Sequence, residues 1–342
     1  MKNARVGCFL LAMGIMLFAT GCKNGTANKD AGNANPIFNS DPRLKNITDR
    51  IISSPKDAGL YYDRGTMLRK LGQDTLALRD YKMASSLDTN NAGYYSTIGD
   101  LLFESKDITG SLVWIQKAIN KDPEDPKAHL KIAKVLLYTH EYQKAISEAN
   151  IVLRKDVHNP EAYFLKGMVF KYMKDTAKAL STFMTARDQN PDYRDATLQI
   201  GLLYSDKRDP LALKFFDDAF RMDSTDVFPI FAKGVYYQRD SDFVKAKEEY
   251  RECIMRNHHY VNAYFNMGYL LMQEDSVEKS YHQFDLVVKN DPMNPTGYFN
   301  RGLCSEMLDS VKKAIADYKT AIVIDSAYKS PREALKRLKV KY

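Results

Sequence analysis

The chain has 342 residues, four cysteines and a formal net charge of +7. The charge lies at the two ends: Lys2 and Arg5 supply two positive charges and residues 329–342 a net five, so residues 22–328 balance to zero. This distribution excludes a broad basic surface of the kind that binds nucleic acid. Two cysteines lie within the first 22 residues, which leaves Cys253 and Cys304 as possible thiols and excludes a disulfide framework.

The N-terminal segment has the pattern of a cleaved export signal. Lys2 and Arg5 precede an apolar run of 14 residues, Val6 to Ala19, which is shorter than the roughly 20 residues of a membrane-spanning helix. The sequence ATGC then brings small residues up to Cys22. This segment resembles the lipoprotein box of bacteria, in which the cysteine is acylated and becomes the first residue after cleavage. We therefore predict a lipoprotein signal peptide over residues 1–21 and lipidation at Cys22.

The predicted lipid implies a place in the cell. Two or more acyl chains anchor a protein stably without a transmembrane segment. The residue after the cysteine is Lys23. In enterobacterial lipoproteins, which this segment resembles, an aspartate there retains the protein at the inner membrane, so Lys23 favours the outer membrane. We expect a lipid-anchored protein of the cell envelope, at the outer membrane, on its periplasmic face rather than on the cell surface. An ordinary cleaved signal and an uncleaved anchor are the alternatives.

Two segments separate the signal from the body of the chain. Residues 22–40 are rich in Asn, Gly and Ala, which predicts a flexible tether that begins at the lipidated Cys22. Residues 41–57 are predicted to contain an N-terminal capping helix, because Leu44, Ile47 and Ile51 fall on one helical face.

A small residue recurs through the rest of the chain at intervals of 34, 34, 34, 34, 33, 34 and 34 residues: Gly65, Gly99, Ala133, Gly167, Gly201, Gly234, Gly268 and Gly302. A second small residue follows each of them after 12 residues, or after 11 in the fifth unit. Four residues later comes a bulky position, and three after that another small residue. The spacing i, i+4, i+7 is one face of a helix. Each unit is therefore predicted to be two helices, with glycine where the helices approach closely and the small residue of the second helix as its counterpart.

This pattern resembles the tetratricopeptide repeat (TPR), and eight copies cover residues 58–328. Departures occur in the third copy, which has Ala133 for Gly and Ala149 for the aromatic residue. The resemblance implies an all-α fold, a right-handed superhelical solenoid of eight helix pairs, whose first helices line a concave groove. Such arrays need capped ends. Residues 329–342 are predicted to form a basic C-terminal capping helix, with Ser330 as its N-cap and Ala334 and Leu335 in its apolar stripe.

The residues offer no constellation for catalysis. No metal-ligand, nucleophile or phosphate-loop motif occurs, so we predict a protein that is not an enzyme and has no cofactor and no metal. His258 and His259 lie at a repeat junction, where a solvated turn is favoured over a metal site. Cys253 occupies a small-residue position of the core, and Cys304 lies two repeats away, so we expect no bond between the two thiols.

By resemblance to the family, ligands meet the first helix at its fifth and ninth positions. In the last five repeats these positions are apolar or aromatic, which predicts a partner-binding groove: Phe164, Met168, Leu198, Leu202, Phe231, Val235, Phe265, Tyr269, Phe299 and Leu303. The alternative is that these residues are internal packing.

The sequence therefore predicts a non-catalytic scaffold or adaptor, anchored by lipid in the envelope. It would present a groove to partner proteins of a secretion or envelope-assembly machinery, with neither nucleic acid nor a small-molecule substrate as ligand. An amphipathic helix is the simplest occupant of such a groove. The alternative function is an adaptor for envelope polymers, peptidoglycan or glycan, that uses polar loops and the basic C-terminal helix.

Overall fold

A computed structural model describes residues 35–340 of the chain. The predicted signal peptide, Cys22 and most of the predicted tether lie outside the described residues. Within them there is one short 3-10 helix, Pro36–Asn39, and the following α-helices: α1 Pro42–Ser53, α2 Ala58–Lys70, α3 Asp74–Leu87, α4 Ala92–Glu104, α5 Ile108–Lys121, α6 Pro126–Tyr138, α7 Tyr142–Lys155, α8 Pro160–Tyr172, α9 Thr176–Gln189, α10 Arg194–Asp206, α11 Leu211–Met222, α12 Phe228–Arg239, α13 Phe243–Arg256, α14 Val261–Gln273, α15 Val277–Asn290, α16 Pro295–Met307, α17 Val311–Ile324 and α18 Lys329–Arg337.

The all-α fold class is confirmed. In chain order, repeats 1 to 8 correspond to α2 and α3 through α16 and α17, each with a first and a second helix. The chain divides into two compact units, residues up to Leu101 and residues from Leu102 onward. In the second unit each first helix packs on its own second helix, and each second helix packs on the first helix that follows it. α6 also contacts α8, and α10 contacts α12, so in these two places neighbouring first helices lie side by side.

The central glycines make room for an aromatic ring. A Cβ on Gly167 would lie 2.5 Å from Cδ1 of Phe183, and one on Gly234 would lie 2.5 Å from Cε1 of Tyr250. The counterpart of the glycine is thus mainly the bulky position of the second helix rather than its small residue. Ser280 is an exception in part, because its hydroxyl donates a 2.8 Å hydrogen bond to the carbonyl of Gly268.

The turn inside each repeat requires a left-handed residue. Gly72 supplies it in repeat 1 with φ 70°, and non-glycine residues supply it afterwards, with φ between 55° and 67°: Lys106, His140, Lys174, Arg208, Ser241, Asp275 and Asp309. These residues recur at the repeat period. A left-handed conformation is uncommon for residues with a Cβ, and the packing of the two flanking helices imposes it here.

Each second helix is followed by a C-cap Asp or Asn whose side chain accepts a hydrogen bond from the backbone N–H two residues later. The eight residues are Asp88, Asp122, Asp156, Asn190, Asp223, Asn257, Asp291 and Asp325, with N···O distances of 2.8–3.2 Å. These Asx turns close the repeats whether or not a proline follows. Proline follows directly only at Asp122, Asn190 and Asp291, so the junctions do not depend on it.

The N-terminal end is folded further than expected. The tether was predicted to reach residue 40, yet Phe38 in the 3-10 helix is 1% exposed. Its ring lies under the guanidinium of Arg64, with 4.6 Å from Cζ to the ring centroid. Arg64 in turn pairs with Asp80, and both side chains are buried. The predicted capping helix is present as α1, with Leu44 and Ile51 buried.

At the C-terminus, α18 forms the predicted cap, with Ala334 and Leu335 buried against Tyr318 of α17. The prediction of Ser330 as its N-cap is wrong, because the helix begins at Lys329 and Tyr328 occupies the cap. The reason is packing: the Tyr328 ring meets Phe299 edge to face at 5.4 Å, which fixes where the helix starts. The two thiols are confirmed as free and buried.

Candidate functional site

The ten predicted groove residues lie in pairs on five successive first helices, α8, α10, α12, α14 and α16. Each pair is spaced i, i+4, so its two side chains project from one face of the helix. Nine of the ten are half-buried, and Tyr269 is 40% exposed. We call the surface made by these ten residues the first-helix face.

The fifth-position aromatics are held between two other rings. Phe231 lies 5.7 Å from the ring of Tyr250 in its own second helix and 5.3 Å from Tyr260, just before the next first helix. Phe164 and Phe299 are enclosed in the same way. Burial among these rings raises the pKa of Tyr260 to about 12. These side chains therefore lock repeat to repeat, and only part of each is available to a ligand.

The ninth-position side chains carry more of the free surface. Met168, Leu202, Val235 and Leu303 pack on the edges of the repeat cores without being enclosed. Tyr269 contacts Gln273 one turn later, which donates to its hydroxyl at 3.2 Å. The structure thus brings an apolar strip to one side of the second unit, formed mainly by the ninth positions.

A second feature escaped the sequence analysis: crevices on the opposite side of the first helices. In repeats 6 and 8 the residue before the central glycine, the seventh position, lies between the preceding second helix and the second helix of its own repeat. In repeat 6 this residue is Lys233, whose Nζ lies 3.0 Å from Asp217 and 3.0 Å from Glu249. Burial lowers the pKa of Lys233, but the two carboxylates outweigh it and raise the pKa above its ordinary value.

Repeat 8 repeats this clamp with an arginine. Arg301 reaches Asp285 of the preceding second helix at 2.7 Å and Asp317 of its own second helix at 2.6 Å. Burial acts to raise the pKa of Asp285, but hydrogen bonds from Lys289 and Arg301 hold it below its usual range. The signal was present in the sequence, because from Ile132 to Arg301 basic residues alternate with apolar ones at the seventh position. The sequence alone does not show that these basic residues face carboxylates on two second helices; the structure does.

The crevice of repeat 7 is different, because its seventh position is Met267. It has a volume of about 760 Å³ and an apolar floor that includes Tyr264, Met267 and Leu271. Arg251 stands where repeats 5 and 7 provide Asp217 and Asp285 to the clamps. The helices around it are α13, α14 and α15.

The described residues give no support for other kinds of site. Among residues 35–340, no group of three or more His, Cys, Asp or Glu side chains is arranged to hold a metal ion. His258 and His259 are both exposed at their junction. In the same part of the chain, no helix has the length and apolar character needed to cross a membrane.

Comparison with known proteins identifies one of the repeats. Residues 160–193, which are α8 and α9 with their flanking turns, match the family model described as tetratricopeptide repeat. The chain therefore contains a tetratricopeptide repeat (TPR) at these residues. A TPR protein from Parabacteroides merdae has a similar fold, with a TM-score of 0.53 and 15% identity over 72% of this chain and 98% of that one. The type IV pilus biogenesis factor PilW gives a TM-score of 0.52 and 15% identity over 61% of this chain and 98% of its own.

The curated relatives of this chain are larger proteins. It is 23% identical over 321 residues to a DnaJ homolog subfamily C member 7 homolog of Schizosaccharomyces pombe, which covers 87% of this chain and 63% of the relative. It is 28% identical over 126 residues to anaphase-promoting complex subunit 3 of the same organism, covering 37% of this chain and 19% of the relative. The chain spans less than two thirds of the length of these relatives. These similarities indicate no enzyme family.

Proposed function

We propose that this protein is a non-catalytic scaffold that binds partner proteins along its first-helix face and is attached to the cell envelope by a lipid on Cys22. The observation that carries the first part is the strip of ninth-position side chains, Met168, Leu202, Val235 and Tyr269 among them. They are apolar in five successive repeats and remain partly exposed. A contiguous apolar surface of this kind is typical of a protein-binding site.

An amphipathic helix is the partner segment that fits best. Its apolar side chains, spaced at one and two turns, would lie across successive first helices in the helix-in-groove mode. Met168 suits such contacts, since its unbranched thioether adapts to partners of different shape. The ring-enclosed fifth-position aromatics would give the strip a rigid base.

A crosslinked pull-down from intact cells tests the binding face. The variant Leu202→Glu, Val235→Glu places two charges in the strip. The matched control Leu211→Glu, Val244→Glu places the same charges on second-helix residues that are 47% and 65% exposed. Partner bands that are lost only from the first variant support the proposal, provided that both variants keep their helical circular dichroism. The same bands in both would refute it and turn attention to the second helices.

The envelope part of the proposal rests on the N-terminal sequence and has its own test. Cys22→Ser removes the only thiol at the predicted cleavage site. We expect the variant to lose labelling by a radioactive fatty acid and to move from the membrane fraction to the soluble fraction. A variant that stays membrane-bound would refute lipidation at Cys22, while leaving the partner-binding face untouched.

A second function, binding of an envelope polymer, is favoured by the exposed lysines at the C-terminal end of α18 and in the turn that follows it. Arg337 bonds to Glu306, whereas Lys336 and Lys339 extend into solvent. The double reversal Lys336→Glu, Lys339→Glu should abolish binding to purified peptidoglycan if this function holds. It should leave the partner bands of the pull-down unchanged.

A further inference from the structure

The crevice of repeat 7 differs from the adjacent crevices in how it is filled. In repeats 6 and 8 the cations Lys233 and Arg301 fill the space and bind a carboxylate on each side. In repeat 5 the aromatic ring of Phe215 occupies the same region, with the guanidinium of Arg187 5.1 Å above it. In repeat 7 neither device is present, and the space stays open above Met267.

The charges around this crevice are the reverse of those in its neighbours. Arg251 stands at the position that holds Asp217 in repeat 5 and Asp285 in repeat 7. On the other side Gln283 replaces the acidic residues Glu249 and Asp317. The crevice lining holds three cations, Lys247, Arg251 and Lys279, against two carboxylates, Glu274 and Glu278.

One of those carboxylates is already neutralised. Both oxygens of Glu274 lie 2.6 Å from Nζ of Lys247. Arg251 is exposed and has no ion pair among the residues that the structure describes. The rim therefore presents an uncompensated guanidinium beside an apolar floor.

We propose that this crevice binds a peptide segment of a partner protein in which a carboxylate side chain lies next to a large apolar side chain. The apolar side chain packs on Tyr264, Met267 and Leu271, which together form a floor large enough for an aromatic ring. The carboxylate binds Arg251, with Lys279 and His282 at the same rim. The chain's own Asp285–Arg301 pair shows that this region of the repeat holds a carboxylate against a guanidinium.

The site is separate from the first-helix face, because its rim belongs to the second helices α13 and α15. It goes beyond the proposed function, and each can fail without the other. A protein with both sites would hold two partner segments at once on opposite sides of repeats 6 and 7.

A defined peptide tests the site. The probe is a fluorescein-labelled peptide in which Phe-Leu is flanked by two glutamates on each side, added to the full-length chain. One control peptide replaces the glutamates with lysines, and a second replaces Phe-Leu with Ala-Ala. Binding is measured by fluorescence anisotropy and by the methyl resonance of Met267, which is assigned by its loss in Met267→Leu.

The matched variants close the crevice without leaving a cavity. Arg251→Asp, Met267→Arg and Gln283→Asp together recreate the Asp285–Arg301–Asp317 clamp of repeat 8, so the variant is expected to fold. Its change in net charge is reproduced by Lys312→Asp on the exposed side of α17. We expect saturable binding to the wild type and to Lys312→Asp, at least tenfold weaker binding to the triple variant, and none of either control peptide.

Three results would overturn the proposal. They are the absence of both signals at millimolar peptide, equal affinity for the triple variant, and equal affinity for a control peptide. The Leu202→Glu, Val235→Glu variant should bind the probe normally, which separates this site from the first-helix face. Loss of probe binding in that variant alone would instead place the peptide on the first-helix face.

Discussion

Replacing Gly167 with alanine separates packing from helix propensity, since the two act in opposite directions. The new Cβ would lie 2.5 Å from both Cδ1 and Cε1 of Phe183, closer than real Cβ contacts. The Phe183 ring is fully buried and lies 5.6 Å from the ring of Phe164, so it has little room to move. Gly268 provides a milder case, because its Cβ would lie 3.0–3.1 Å from Phe284.

The expected magnitudes follow from these distances. Alanine is favoured over glycine inside a helix by about 1 kcal/mol. Overpacking a core costs about 1–3 kcal/mol, and the contact at Gly167 belongs to the upper part of that range. We expect Gly167→Ala to lower the free energy of unfolding by about 1–2 kcal/mol after the propensity gain is subtracted. For Gly268→Ala the two effects nearly cancel, leaving a change below about 0.5 kcal/mol.

Urea unfolding followed by circular dichroism at the helical minimum provides the comparison. The two variants are compared by their midpoints, because a repeat array does not always unfold in a single transition. Phe183→Leu should relieve the clash, so Gly167→Ala should cost less in that background. A Gly167→Ala protein that is more stable than the wild type, or equal shifts for the two variants, would refute the packing argument.

Three further predictions concern buried groups. Cys253 and Cys304 should react with Ellman's reagent only after unfolding, and rapid labelling of the native chain would contradict their burial. Burial raises the pKa of Cys253 from 9.0 to about 12. The stability that the protonated thiol contributes is therefore complete below pH 9 and is lost as the pH rises towards 12. Urea midpoints that do not fall between pH 9 and 12 would be inconsistent with this. Asp80→Ala removes one partner of the buried pair with Arg64 and should lower the free energy of unfolding by about 3–5 kcal/mol, measured by thermal unfolding. The double variant Arg64→Leu, Asp80→Leu removes both charges and should lower it far less. Similar losses of stability in the two variants would argue against the pair.

The period of the sequence was sufficient to predict the helices, because it reports on contacts that every repeat makes in the same way. The central small residues, from Gly65 to Gly302, predicted where the first helices lie. The small residue about 12 positions later predicted where the second helices lie. The Asx turns were missed for a physical reason. An Asp such as Asp88 or an Asn such as Asn257 is common in a polar junction. Its role as a hydrogen-bond acceptor is seen only when the structure shows the N–H group two residues later within reach.

The candidate sites were harder to predict, because they depend on which repeats become neighbours in space. The sequence identified the first-helix face at Leu202 and Val235 from the family's positions, but not the enclosure of Phe231 between two rings. The crevice above Met267 depends on Arg251, which belongs to the preceding repeat. A pattern within one repeat carries no information about a pair of side chains that meet across a junction.

The contact of Phe38 with Arg64 has a mechanical consequence. The chain reaches the first repeat through this ring, which is buried ahead of α1. A pulling force on the N-terminal segment, such as a membrane anchor would exert, would load Phe38 before it reached α1. The force would then pass through the Arg64–Asp80 pair into α2 and α3 together, so the first repeat would bear tension across both of its helices.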